Sequence, residues 1–263
     1  LKKIRNEYNK DNPTKAIETN EPREIWEQLR ERLTHCEAED CWLNEIDDTT
    51  LRKQIDNYIF APDSPPEWNS NPNEWLTNYD ILGVLDQYEI AYPYFLFLGP
   101  SPIDFDTKIS GTCVERSLCQ LSVKKCLADG KMKIGVIFNT DPHDKGGSHW
   151  ISLFIDLEES FIFFFDSAGD KIPDEIAVLR DRIIQQAKDE AITLKYYDNE
   201  GTQHQRGNTE CGMYSLFFII TMLTGRIGTN KRSTPLSKRL QLFVDGNIKD
   251  KYIEQYRKIY FNG

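Results

Sequence analysis

The chain has 263 residues, 39% of them hydrophobic and 12% aromatic, enough to bury a sizeable core. Its 42 acidic residues against 32 Lys and Arg give a formal net charge of −10. That balance argues against unaided binding to nucleic acid or an anionic membrane, both of which need clustered cations. The longest apolar run, MYSLFFIITML at 213–223, is too short to span a membrane, and LKKIRNEYNKDNPTK at 1–15 holds no apolar leader segment.

Taken in chain order, residues 1–20 are polar and read as a frayed terminus. EPREIWEQLRERL (21–33) puts Ile25, Trp26, Leu29 and Leu33 on one helical face, with Pro22 near the start. TTLRKQIDNYI (49–59) aligns Leu51, Ile55, Tyr58 and Ile59 and predicts a second helix. APDSPPEWNSNPN (61–73) is dense in Pro, Asn and Ser and reads as a linker. The expected organisation is therefore a helical N-terminal arm with its linker at 1–73 and a main domain at 74–263.

The main domain opens with a predicted helix in EWLTNYDILGVLDQYEIAY, started by Thr77 or Asn78. Residues 92–132 show no clear period. KIGVIFNT (133–140), HWISLFIDL (149–157) and SFIFFFDS (160–167) are β-branched and aromatic runs bounded by turn residues, and LEES joins the last two as a hairpin. IPDEIAVLRDRIIQQAKD is a helix with Ile176, Leu179, Ile183 and Ala187 on one face, and ITLKYYDN (192–199) is a fourth strand. A helix opens at Cys211 and stops near TGRIGT, and two more follow at about 237–245 and 248–260.

The polar stretch HQRGNTE runs straight into Cys211 and then into an apolar helix. A thiol at a helix N-terminus meets unpaired N–H groups that favour its thiolate, the nucleophilic form. Asn208 or Thr209 is the expected cap, and Gly212 would let substrate approach the backbone. The base and its orienter come from the hairpin. His149 opens its first strand and Asp166 ends its second, so antiparallel pairing brings them close. Asp166 can then accept from one imidazole nitrogen and leave the other for Cys211. Gln205, with two amide hydrogens and no titration, suits an oxyanion donor beside the Cys211 N–H.

Other readings weigh less. Cys211 as a buried core thiol does not account for His149, Asp166 and Gln205. His204 is near in sequence but shares the loop of Cys211, and is expected to hydrogen-bond there. His143 lies in a turn and reads as solvated, and Asp156, at the far end of the hairpin, reads as a surface residue. His35, Cys36 and Cys41 make an incomplete metal set, so no metal and no cofactor are expected. The six cysteines show no CxxC pair and read as reduced thiols in a cytoplasmic protein.

HW at 149–150, FDS at 165–167 and QRGNTECG at 205–212 together resemble the Ulp-like, adenain-like cysteine proteases. Within that family the likeness is greatest to the capsid-maturation proteases of large cytoplasmic DNA viruses such as African swine fever virus. The resemblance implies an α+β papain-like core, with a central mostly antiparallel sheet and the nucleophile on a helix N-terminus. It implies cleavage after Gly-Gly in a viral polyprotein or, alternatively, isopeptidase action on a ubiquitin-like protein. An acetyltransferase on the same fold and a silent binding module are further alternatives. The family's WLND-type element is matched by EWLTN (74–78), with Asn78 where the family has Asp, and CWLNE (41–45) is a rival. The match makes Trp75 and Trp150 the walls of a slot over the substrate glycines. The expected partner is a protein substrate, and the oligomeric state is left open.

Overall fold

The computed structural model describes residues 1–36, 42–43, 45–50, 52, 61–228 and 232–262. The chain divides into two compact units, Leu1–Asp63 with Lys258–Gly263, and Ser64–Arg257. Residues 64–73 thus group with the second unit, not with the arm as composition suggested. Within that unit the Arg257 guanidinium lies 4.5 Å from the Trp68 ring centroid and donates to the Glu74 carbonyl at 2.9 Å.

In the first unit, helix α1 (Lys2–Asp11) replaces the frayed terminus. Its Ile4 and Tyr8, one turn apart, are both buried in a cluster with Ile17, Ile25, Leu29 and Leu33. A two-residue stripe in a polar segment is too sparse to read from sequence, yet it suffices to seal α1 onto α2 (Pro22–Arg32). Trp42 joins the same cluster at 2% exposure and lies 6.3 Å from the Trp26 ring. The rival tryptophan is therefore a core residue. The helix predicted around Leu51, Ile55, Tyr58 and Ile59 lies outside the described residues, as does Cys41.

The second unit opens with α3 (Asn78–Ala91). Thr77 is its cap, with a reciprocal capping box to Asp80. A six-stranded sheet follows, in the order β1-β5-β6-β7-β8, with β2 also beside β5. Its strands are β1 (Phe95–Phe97), β2 (Ser101–Pro102), β5 (Lys133–Asn139), β6 (Trp150–Asp156), β7 (Phe161–Phe165) and β8 (Lys195–Tyr197). β5, β6 and β7 pair antiparallel, whereas β1, β2 and β8 join as parallel edges. The unassigned stretch 92–132 holds β1, β2, a small β3–β4 pair (Lys108–Ile109 and Thr112–Cys113), α4 (Arg116–Cys119) and α5 (Val123–Ala128). Strands of two or three residues leave no alternation to read.

The apolar runs of β6 and β7 are buried on both faces, which is why they read as continuous rather than alternating. Ile151, Leu153, Ile155, Ile162 and Phe164 face one cluster, covered by α5 and α6 (Asp174–Asp189). The side chains of α6 that enter it are Ile176, Leu179, Ile183 and Ala187, as the spacing predicts. Phe154, Phe163 and Phe165 face the other way and pack on Phe218 of α7 (Cys211–Thr224). Helix α7 is buried from Cys211 through Leu223, with Gly225 in the left-handed region as its C-cap. It packs on β5 and β6 and on α3, α8 (Leu236–Val244) and α9 (Asp250–Glu254). A last turn, α10, spans Arg257–Tyr260.

Two expectations are corrected here. Asp156 is not a surface residue. It is fully buried, lies 3.2 Å from Lys133 Nζ, and accepts the N–H groups of Glu158 and Glu159, so it closes the hairpin turn. Nor are all six cysteines reduced. Cys113 and Cys119 form a disulfide, which the turn of α4 makes possible by carrying Cys119 back toward β4, and Cys36 is also disulfide-bonded. Among the described residues, Cys126 and Cys211 are free and buried, and no helix is long and apolar enough to cross a membrane.

Candidate active site

Cys211 is the first residue of α7, and its cap is Glu210, not Asn208 or Thr209. The Glu210 side chain makes no capping bond because it is engaged elsewhere. It lies at 2% exposure against Arg257, with Nη2 and Nε of the guanidinium 2.9 and 3.0 Å from its two oxygens. Thr209 donates to the same carboxylate. The Cys211 amide, at the first position of the helix, has no acceptor within the helix.

His149 stands one residue before β6, and Asp166 one residue after β7. Continuing the Ser152–Phe165 register pairs Asp166 with Ile151, so His149 is its diagonal neighbour on the same face. His149 Nε2 donates to Asp166 Oδ1 at 2.6 Å, which leaves Nδ1 as the ring's other nitrogen. The Asp166 carboxylate is held in turn. Ala168 N–H donates to the same oxygen at 2.8 Å, while Asn199 bonds both the N–H and the carbonyl of Asp166. Burial acts to lower the His149 pKa. The hydrogen bonds and charges of Asp166 and Cys211 outweigh it and push the value up to about 10. The thiol, the imidazole and the carboxylate therefore interact as one group.

Gln205 is buried at 6% exposure. Its Oε1 accepts from the Ser167 hydroxyl at 2.8 Å, and its Nε2 donates to the Gly207 carbonyl at 3.1 Å, which leaves one amide hydrogen uncommitted in that pair. Asp250 braces the loop by accepting the N–H groups of Arg206 and Gly207 and the Tyr214 hydroxyl. Trp150 is buried, and its indole N–H donates to the Leu76 carbonyl at 3.0 Å, next to Trp75, which is 39% exposed. Asn78, first in α3, is exposed.

Gly212 departs from its expected role. A Cβ there would meet Leu76 Cβ and Cδ1 at 3.1 Å and Trp150 Cδ1 at 3.2 Å. Its missing side chain makes room for Leu76 and Trp150, not for a substrate backbone. His204 hydrogen-bonds within its own region: Nε2 donates to the Phe243 carbonyl and Nδ1 accepts from Ile248 N–H, with burial holding its pKa below the ordinary imidazole value. His143 is not simply solvated, since its Nδ1 lies 2.6 Å from Asp104 Oδ2. His35 stands 3.7 Å from Glu45. A cavity of about 410 Å³ beside the imidazole is lined by His149, Ile151, Asp166, Ala168, Lys171 and Thr140, among others.

Four positioning groups escaped the sequence reading: Ser167, Asn199, Asp250 and Arg257. Only Ser167 carried a local signal, as the last letter of the FDS motif. The other three act from elements distant in sequence.

A thiol at the mouth of a buried helix, paired through an imidazole to a carboxylate across a sheet hairpin, defines the cysteine-protease class. The chain belongs to the Ulp1 protease family, whose C-terminal catalytic domain is matched by residues 116–260. A protein of Acanthamoeba polyphaga mimivirus, named as a thiol protease, is 32% identical over 174 residues, 65% of this chain and 55% of that protein. The chain therefore spans about half the length of that relative. A cysteine protease of African swine fever virus is 28% identical over 196 residues, covering 71% of this chain and 70% of its own. The crystal structure of the African swine fever virus protease shares the fold with a TM-score of 0.63 at 23% identity, over 94% of this chain and 93% of that one. The Ulp1-type α+β fold is thus the fold of this chain.

Proposed function

We propose that the chain is a cysteine endopeptidase that cleaves after Gly-Gly and processes a viral structural polyprotein during virion maturation. The observation that carries this reading is the 2.6 Å His149–Asp166 pair coupled to Cys211 at the start of α7. The relatives are viral proteins named as a thiol protease and a cysteine protease, which supports a viral protease of this type.

In the proposed cycle His149 takes the Cys211 proton, and Asp166 fixes the imidazole so that Nδ1 faces the sulfur. The thiolate forms a bond to the carbonyl carbon of the second glycine. The carbonyl electron pair moves to oxygen, where the Cys211 N–H and the free amide hydrogen of Gln205 receive it. The carbon–nitrogen bond then breaks as the imidazolium gives its proton to the leaving amine. Water, deprotonated by His149, resolves the thioester and restores the thiol. Trp75 and Trp150 flank the approach to the thiol, with Asn78 at its rim, and exclude substituted carbons, so glycine is required. No cofactor enters these steps.

A second reading, isopeptidase action on a ubiquitin-like protein, is favoured by the family match and by a relative named SUMO-1 cysteine protease. One experiment separates them: hydrolysis of fluorogenic Gly-Gly-X peptides against ubiquitin-like proteins carrying a C-terminal fluorophore, with Cys211→Ala as the inactive control. Preference for the peptides supports the endopeptidase. Preference for the intact ubiquitin-like proteins supports the isopeptidase, and hydrolysis of neither rejects both.

A further inference from the structure

We infer that Ser167 is a positioning residue that, together with the Gly207 carbonyl, holds the Gln205 amide with its nitrogen toward the reacting carbonyl. The inference rests on the oxyanion role proposed for Gln205. A glutamine side chain ends in two groups of similar size and opposite character. Its nitrogen would bind an oxyanion and its oxygen would repel one. The terminal torsion is broad and roughly two-fold, so sterics alone do not choose between the two orientations.

The chemistry around Gln205 does choose. Ser167, 1% exposed, donates its hydroxyl proton to Oε1 at 2.8 Å, and the Gly207 carbonyl, which can only accept, takes a proton from Nε2 at 3.1 Å. A reversed amide would set its oxygen against the Gly207 carbonyl, and the Ser167 hydroxyl would have to turn from donor to acceptor to keep its contact. The Ser167 main chain fixes the same segment, its carbonyl accepting the N–H groups of His204 at 3.0 Å and Gln205 at 2.9 Å. Ser167 also follows Asp166 directly. Two consecutive residues therefore govern both ends of the chemistry: one holds the imidazole and the next holds the oxyanion donor. Removing the hydroxyl leaves Oε1 buried without its donor, and the orientation of the amide then rests on the Gly207 carbonyl alone.

The test compares reactions that do and do not build an oxyanion. Hydrolysis of a Gly-Gly peptide and inhibition by a Gly-Gly aldehyde, whose hemithioacetal carries the oxygen charge, both need the donor. Alkylation of Cys211 by iodoacetamide is a displacement that does not. Ser167→Ala should lower kcat and weaken aldehyde binding by about ten- to a hundredfold, somewhat less than loss of a whole oxyanion donor. KM and the alkylation rate should change by no more than about threefold, because ground-state binding and the thiolate are left alone. In a Gln205→Ala background the same substitution should cost nothing further, since the group it orients is gone. Ser167→Thr, which keeps the hydroxyl, should recover activity.

Equal losses in alkylation and hydrolysis, or additive losses in the double variant, would overturn the positioning role and leave a structural one. Wild-type hydrolysis matched by Ser167→Ala would overturn this inference alone. A wild type that cleaves no peptide and binds no aldehyde would remove the protease reading and this inference with it.

Discussion

His149 and Asp166 stand just outside the two ends of one hairpin, yet their side chains meet at 2.6 Å. Because the contact is diagonal rather than directly opposed, it depends on the register of β6 and β7, which Asp156 fixes at the far end by capping the turn. A one-residue slip would exchange the side chains of the two buried faces and take Phe163 and Phe165 off Phe218, so the packing cost of that slip also guards the catalytic pairing.

Replacing Asp166 with Asn keeps the shape and removes the charge. The His149 pKa, raised to about 10 against an ordinary 6.5, should fall. The sign follows from linkage. A raised imidazole pKa contributes stability that is fully present below pH about 6.5 and is lost as pH rises through about 10. The rate of Cys211 alkylation against pH should show a basic limb near 10 in the wild type and lower in Asp166→Asn. Peptide kcat should drop by at least about a hundredfold through loss of the imidazole's orientation and charge partner. An unmoved limb would mean that Asp166 does not set the titration.

Arg257→Ala strands the Glu210 carboxylate, which is 2% exposed, without its cation. Breaking a buried pair from one side costs about 3–5 kcal/mol. Chemical denaturation should show a loss of that order. The double variant Arg257→Met with Glu210→Leu should recover much of it, and equal losses in both would argue that packing of Arg257 on Trp68, not its charge, is what matters.

Gly212→Ala pushes a methyl against Leu76 and Trp150, the latter pinned by its indole bond to the Leu76 carbonyl. Overpacking of this kind costs about 1–3 kcal/mol. The melting temperature should fall, and kcat should fall with it as Trp150 shifts. A stable and fully active variant would return Gly212 to its sequence-based role as an opening for substrate.

Trp75 is 39% exposed, so Trp75→Ala should leave stability within about 0.5 kcal/mol. If it walls the glycine slot, KM for Gly-Gly peptides should rise or kcat fall, and cleavage after alanine should gain relative to glycine. Unchanged kinetics on both substrates would remove Trp75 from the site.

The parts of this molecule that could be read from sequence are those governed by short range. The face of α6 was legible at all four buried positions because a long amphipathic helix repeats its signal. The β6–β7 hairpin was legible because its runs are long and its turn is polar, and from the hairpin came the expectation that His149 and Asp166 lie close. The start of α7 was right, but its cap was not. Asn208 and Thr209 have the better intrinsic preference, and the chain instead turns at Glu210, whose carboxylate is held by Arg257 from the C-terminal end. Asn199 and Asp250 were invisible for the same reason: nothing local marks an amide or a carboxylate whose partners are distant in the chain. α1 was missed for the opposite reason, since its signal is local but rests on Ile4 and Tyr8 alone.

Helix α7, buried from Cys211 to Leu223, has no side along which water could reach its backbone. Its amides should exchange with deuterium only when the whole unit opens, placing the nucleophile's support among the last hydrogens to be lost. Fraying cannot dislodge the thiol piecemeal. Heat inactivation and global unfolding should therefore follow one curve, and a partly melted protein should still contain fully competent molecules rather than a population of weakened ones.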